Sequence, residues 1–315
     1  PFLKETSNPL PLVSVIVPNY NHAPYLRQRL DSIFNQTYQD FEVIILDDCS
    51  TDNSKEIIEE YRNRPQVSHV VYNKINSGSP FKQWAKGFEI AKGEYIWIAE
   101  SDDWAELNFL ETLIKKIKTD SSIALAYCNS IWYFDKDYKS YPTFKKETTL
   151  NGLQFIKEQM YWNNSIHNAS SVLFRKDRIS KVDQSYTEFK GSGDYFFWIQ
   201  ICETGNVFFT PNSLNYWRQH TKNTTIQNVE SGNNYVENYR IFRYMRKSGY
   251  ISFYKKLVLA NVYLDLIKKA YKTRHNGQID KAYKLWKSEV KSIFLSKILI
   301  KIGKIIWYLF QREKQ

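Results

Sequence analysis

Apolar residues along this chain gather in short unbroken runs, and amphipathic stretches separate the runs. Residues 12–17 (LVSVIV) and 41–46 (FEVIIL) lack the alternation of a half-exposed strand, so they predict strands buried on both faces. Between them Leu26, Leu30, Ile33 and Phe34 recur at helical spacing, with Pro24 in the first turn. The second run ends in Asp47, Asp48, Cys49, Ser50, Thr51 and Asp52, a polar cluster suited to capping a helix that carries Ile57, Ile58 and Tyr61. A third strand is expected over 67–72. After it come Asn76-Ser77-Gly78 and a helix with Phe81, Trp84, Phe88 and Ala91 on one face, closed by Gly93. A fourth run, 95–99 (YIWIA), stops abruptly in Glu100, Ser101, Asp102 and Asp103.

Further along, Leu107, Leu110, Leu113, Ile114 and Ile117 predict a helix, and strands are expected over 123–128 and 131–134. Residues 135–149 read as a mobile loop or hairpin, 153–160 as a short helix, and 207–210 as a strand followed by alternation at Leu214 and Tyr216. A mobile loop closing over a ligand fits 221–234, and from 235 onward the pattern is helical.

Strand alternating with helix predicts the α/β class, with a mostly parallel central sheet flanked by helices. Such sheets bind ligands beyond the carboxyl ends of their strands. Three strands here end in polar clusters, around Tyr20, Asp48 and Asp102, and right-handed crossovers bring those ends to one edge. The 100–103 cluster reads either as a cation site for Mg²⁺ or Mn²⁺ or as a solvated acidic turn capping the next helix. No G-x-G-x-x-G and no G-x-x-x-x-G-K-[ST] follows any strand, which argues against a dinucleotide oxidoreductase or a phosphate-loop ATPase.

VSVIVPNYN, FEVIILDDCSTDNS and AKGEYIWIAESDDW, in that order and at these spacings, resemble the inverting glycosyltransferases of family 2, over roughly residues 12 to 225. The resemblance implies the glycosyltransferase A-type fold and a nucleotide-sugar donor, with a UDP-sugar favoured. It lays Tyr20 against the base, gives Asp48 a hydrogen bond from a ring N–H, and leaves Asp47 to the fold. Pro18, Lys82, Glu100, Ser101 and Arg218 would complete the donor site. Asp102 matches the last acid of the family's D-x-D and is expected to hold Mn²⁺ or Mg²⁺ together with His220. Asp103 would position the acceptor or brace the loop, with Trp104 and His167 beside it. Asp194, opening an apolar helix after Gly191-Ser192-Gly193, matches the catalytic base, although an aspartate there is also an ordinary helix cap. Two departures stand out. Glu100 replaces the first aspartate of D-x-D, and Trp84 stands where the family carries an arginine, with Lys82 or Lys86 as stand-ins for its charge.

The net charge is +11, concentrated in the last quarter of the chain, while the remainder is slightly acidic. That distribution argues against a nucleic-acid binder. Residues 1–230 read as the catalytic domain, with 12–103 the nucleotide half and 104–230 the acceptor half, and 231–315 as a basic helical extension. Within it, residues 293–310 are apolar except on one face carrying Lys297, Lys301 and Lys304, which suits a helix lying on an anionic membrane surface with Trp307 and Tyr308 at the headgroups, or one packed on protein. Three widely spaced cysteines and no visible signal peptide suit a reducing compartment. The expected protein is cytoplasmic, peripheral on the inner face of the cell membrane, and adds sugar to an oligosaccharide or lipid-linked glycan of a bacterial surface polysaccharide. Rival readings are a sugar-nucleotide nucleotidyltransferase and a non-catalytic glycan- or membrane-binding module.

Overall fold

The computed structural model describes residues 11–135, 137–220, 224–290, 301, 302 and 305. In chain order the elements are β1 (Val13–Asn19), α1 (Ala23–Phe34), β2 (Phe41–Asp47), α2 (Ser54–Tyr61), β3 (Val67–Tyr72), α3 (Pro80–Ile90), β4 (Tyr95–Ile98), β5 (Trp104–Ala105) and α4 (Phe109–Ile117). There follow β6 (Ile123–Phe134), β7 (Asp137–Ser140), β8 (Thr148–Asn151), α5 (Gly152–Phe155) running into a wider turn (Ile156–Met160), β9 (Val172–Arg175), α6 (Gly193–Cys202) and β10 (Asn206–Arg218). Four helices close the described chain: α7 (Thr224–Ser231), α8 (Asn233–Lys247), α9 (Phe253–Thr273) and α10 (Gly277–Lys287).

The strands form one sheet in the order β3-β2-β1-β4-β9-β6-β10-β5, with β7 beside β6 and β8 beside β10. Strands β1 to β4 are parallel, and β9 enters antiparallel between β4 and β6, so β6 and its parallel neighbour β10 run the same way as the first four. The apolar runs are buried because both faces are covered. Ile16, Ile44, Ile96 and Ile98 pack with α3, α6 and α8–α10. Val15, Val43, Ile45 and Trp97 pack with α1, α2 and α4 on the other face.

Several expectations change. The strands expected over 123–128 and 131–134 are one strand, because the polar residues between them pair sideways: Asn129 donates to the Ser213 hydroxyl at 2.6 Å and Asn215 donates to Ser130 at 3.0 Å. The two pieces expected from 207 to 218 likewise join as β10, with irregular register between Thr210 and Asn215. Residues 135–149 do contain a hairpin strand, β7 on β6. The expected closing loop over 221–234 is helical from Thr224, and residues 221–223 lie outside the described chain. Helices α8 to α10 belong to the same apolar cluster as α6, with Phe242 and Trp286 joined to Phe196 and Trp198 through it. Among the described residues no helix is long and apolar enough to cross a membrane. Apart from Lys301, Ile302 and Ile305, the expected membrane face 293–310 lies outside them.

Gly93 does not close α3, which ends at Ile90 with Ala91 as its cap. It lies instead against β1, where a Cβ would come 2.5 Å from the Ser14 nitrogen. Its amide donates to the Ser14 hydroxyl at 2.8 Å, and that hydroxyl donates to Glu42 at 2.6 Å. The buried Ser14–Glu42 pair thus anchors the chain where it enters β4. Gly93→Ala is therefore expected to lower the unfolding free energy by about 1–3 kcal/mol through overpacking, read from urea denaturation; unchanged stability would show that β1 yields freely at this crossing.

Candidate active site

The carboxyl ends of β1, β2 and β4 meet through side chains. Asn19 donates to Asp47 at 2.8 Å, the Asn21 amide donates to the Ser50 hydroxyl at 2.9 Å, and the Thr51 amide donates back to Asn21 at 2.7 Å. Asn21 and Cys49 take left-handed backbone (φ 55° and 66°), turning the chain sharply at both strand ends. Tyr20 projects outward and is 46% exposed, so its ring is not used for packing. Pro18 is buried in β1, opposite Leu46.

At the end of β4 the acidic cluster faces a buried cation. Arg29 of α1 is fully buried, donates Nε–H to the Glu100 carbonyl at 2.8 Å, and lies 4.0 Å from Asp103. Burial pulls its pKa down to about 10, against the opposing pull of the three carboxylates. Asp103, expected to position the acceptor or brace the loop, braces it: its carboxyl is 1% exposed and receives Ser170 at 2.7 Å, Asn168 at 2.9 Å and the Arg218 amide at 3.0 Å. Burial and the neighbouring Asp102 push it up to about 7. Glu100 rises to about 8 for the same two reasons, opposed by the hydrogen bond that the Trp84 indole donates at 2.8 Å. The two departures from the family pattern are therefore one contact. The longer acid at 100 meets the indole at 84, while Lys82 binds the Ser77 carbonyl and Lys86 binds Asn73.

Asp102 behaves differently. Burial would raise its pKa, but the hydrogen bond with His220 and the nearby imidazoles hold it below its ordinary value. His220 Nε2 lies 3.0 Å from its carboxylate although 118 positions away in the chain. A third group, unforeseen from sequence, completes the cluster: His22, Asp102 and His220 each offer one ligand atom within 4.8 Å of the others. Ser101 Oγ lies 2.8 Å from His22 Nδ1, a bond that fixes the ring and makes Nε2 the nitrogen that could take an ion. Burial lowers the His22 pKa, favouring the neutral imidazole that a metal requires. Two imidazoles and a carboxylate fit a transition-series divalent cation better than an all-oxygen site would.

Arg218 locks this arrangement. Its Nε donates to the Asp102 carbonyl at 2.8 Å and Nη2 to Gln28 at 2.6 Å, while its guanidinium lies over Tyr25, Trp104 and Tyr133 at 4.6, 4.6 and 5.2 Å. Trp104 also stacks on Tyr216 at 4.6 Å. His167 is half-buried with its ring edge toward Trp132. Asp48, expected to meet a base, is 5% exposed and receives Asn73, Gln83 and both the amide and hydroxyl of Ser77. In this form it organises the 73–83 segment.

Asp194 is not the cap of α6; Ser192 holds that place and Asp194 stands in the first turn. Its carboxylate accepts Asn164 at 2.9 Å. Burial raises its pKa to about 7, overriding the Tyr195 amide and Asn164, which favour the charge, and helped by Glu237. Helix α3 connects the two centres. A Cβ on Gly193 would lie 2.5 Å from the Phe81 ring, and Phe81 packs against Trp84, which holds Glu100.

The family described as glycosyl transferase family 2 matches residues 14–180. Glycosyltransferase GlyG of Streptococcus pneumoniae is 40% identical over 107 residues, 34% of this chain and 35% of that protein. Chondroitin synthase of Pasteurella multocida is 29% identical over 229 residues, 70% of this chain and 22% of that protein. The chain thus spans only about a third or less of these relatives' length. Among solved structures, S. aureus TarS 1–349 in complex with UDP-GlcNAc covers 93% of this chain and 87% of its own at a TM-score of 0.68 and 18% identity, a likeness of fold.

Replacing Arg29 by Met would leave the buried Asp103 and the half-buried Glu100 and Asp102 without their internal cation. The expected cost is about 3–5 kcal/mol of stability, measured by chemical denaturation; a variant as stable as the parent would show that Arg29 does not balance the cluster.

Proposed function

The chain belongs to glycosyl transferase family 2 and has its A-type fold, and we propose that it is an inverting, metal-dependent transferase that moves a sugar from a UDP-sugar to a hydroxyl of a glycan. The observation that carries this reading is the His22–Asp102–His220 cluster at the carboxyl edge of the sheet. The nucleotide enters along that edge, with its base against the exposed Tyr20 ring and beside the segment that Asp48 organises. Mn²⁺ suits the donor set better than Mg²⁺, which prefers oxygen. When bound, such an ion stabilises charge on the departing diphosphate.

Asp194 acts on the other side of the transferred sugar. Its carboxylate takes the proton of the acceptor hydroxyl as that oxygen forms a bond to the anomeric carbon and the bond from that carbon to the diphosphate breaks. One displacement from the face opposite the leaving group inverts the anomeric centre. A pKa of about 7 suits this task, since a large share of the group is ionised near neutral pH and it is still basic enough to accept the proton. Trp104 and His167 belong to the acceptor side in this reading. A solved TarS complex containing UDP-GlcNAc supports the choice of a UDP-sugar. The polysaccharide-forming relatives, among them a putative teichuronic acid biosynthesis glycosyltransferase of Bacillus subtilis, support a surface-glycan acceptor. A place on the inner face of the membrane would suit a lipid-linked form of that acceptor.

A panel of UDP-sugars, assayed for UDP release with and without Mn²⁺ and glycan acceptors, tests the whole reading. Asp194→Asn is expected to lower kcat by about 10²–10⁴-fold; turnover at the parent rate would leave the base unassigned. The active form of Asp194 is the unprotonated one, so kcat should rise with pH, reach half its plateau near 7, and fall away below. His22→Ala is expected to weaken Mn²⁺ binding by more than about 10-fold in calorimetric titration, and an unchanged affinity would remove His22 from the ion.

A further inference from the structure

The turn that delivers Asp194 is held by a carboxylate from the C-terminal helices. Glu237 of α8 is buried, and its two oxygens receive three consecutive backbone amides: Lys190 at 2.5 Å, Ser192 at 2.9 Å and Gly191 at 3.2 Å. Asn228 of α7 adds a fourth bond at 3.0 Å. Gly191 is required by that approach, because a Cβ there would come 2.4 Å from the Asn228 side chain. A buried carboxylate is costly unless its lone pairs are filled, and here they are filled by the backbone just before α6. The far side of the same turn is tied to the segment that Asp48 organises. Ser79 donates to the Phe189 carbonyl at 2.8 Å, and Lys190 Nζ donates to the Gly78 carbonyl at 3.0 Å.

We propose that Glu237 is a positioning residue for the transfer reaction, setting the place of the Asp194 carboxylate by clamping the amides of residues 190–192 between α8 and the 77–79 segment. This rests on Asp194 being the base. The helical C-terminal region then completes the active site instead of merely extending the chain. The Glu237 charge also acts to raise the Asp194 pKa, against the Asn164 side chain and the Tyr195 amide that donate to Asp194, while the Tyr195 phenol donates to the Met160 carbonyl. Removing that charge should therefore make Asp194 easier to ionise.

The test compares Glu237→Gln, Asn228→Ala and Asp194→Asn in the full chain. The readouts are the ¹³C titration of the Asp194 carboxyl, which needs no substrate, and UDP release from the UDP-sugar that the panel identifies. In Glu237→Gln the Asp194 midpoint should fall. The kcat plateau above that midpoint should fall about 10–100-fold with the donor KM unchanged, as a slightly misplaced base requires. Asn228→Ala keeps the charge and loosens the clamp, so it should lower kcat while leaving the midpoint where it was. A Glu237→Gln enzyme with the parent midpoint and parent kcat would overturn the proposal, provided Asp194→Asn is impaired. An unimpaired Asp194→Asn would instead overturn the base assignment beneath it. Should Glu237→Gln fail to fold, Asn228→Ala decides: reduced kcat at unchanged KM supports the clamp, and parent kcat overturns it.

Discussion

Three carboxyl groups within four residues, at the end of a strand buried on both faces, set the terms for much of this structure. Ionised together and out of water they would repel strongly, so each has its own answer. Asp103 is filled with donors and lies near Arg29, Glu100 rests on the Trp84 indole, and Asp102 is held ionised against two imidazoles. Those partners come from α1, the end of β1, α3, the loop before β9 and the end of β10. The order of the sheet follows the same need. Strand β9 enters between β4 and β6, bringing Asn168 and Ser170 to the cluster, and β10 returns along β6 to deliver Arg218 and His220.

That division of labour separates the chemistry. Asp102 is left as the charged member, while its two neighbours are pushed toward the neutral form. Asp194 is raised by burial to about 7, as Asp103 is, but stands apart from the acidic cluster in the first turn of α6, where Asn164 donates to it. Helix α3 serves both centres, with Phe81 under the start of α6 and Trp84 on Glu100. Its tryptophan gives Glu100 a short bond from a neutral donor. The longer acid at 100 is what brings the oxygen within reach of the indole.

The C-terminal helices enter this scheme through packing as well as through Glu237. Tyr239, Phe242 and Trp286 share one apolar cluster with the residues of α6, so the helix bearing Asp194 is pressed between the sheet and these helices. A basic composition from residue 235 onward gives no hint of that role, because the surface charge and the buried face of a helix are separate properties of the same residues.

The amino-acid order by itself determined the α/β alternation, the strands β1 to β4 nearly to the residue, and the convergence of three polar strand ends. These follow from runs of apolar residues, and a strand buried on both faces needs no knowledge of its neighbours to be recognised. Through the resemblance to a family it also named Asp102 and His220 as a pair, and these two do meet in the fold. Tertiary structure decided what local pattern does not carry. His22 joins Asp102 and His220, Trp84 belongs to Glu100, Arg29 lies beneath the acids, the 123–134 strand stays whole, and Gly93 faces β1 instead of ending a helix. The reason lies in separation along the chain. His22 and Ser101 meet across 79 positions and Asp102 and His220 across 118, and contacts that distant exist only once the strands have paired.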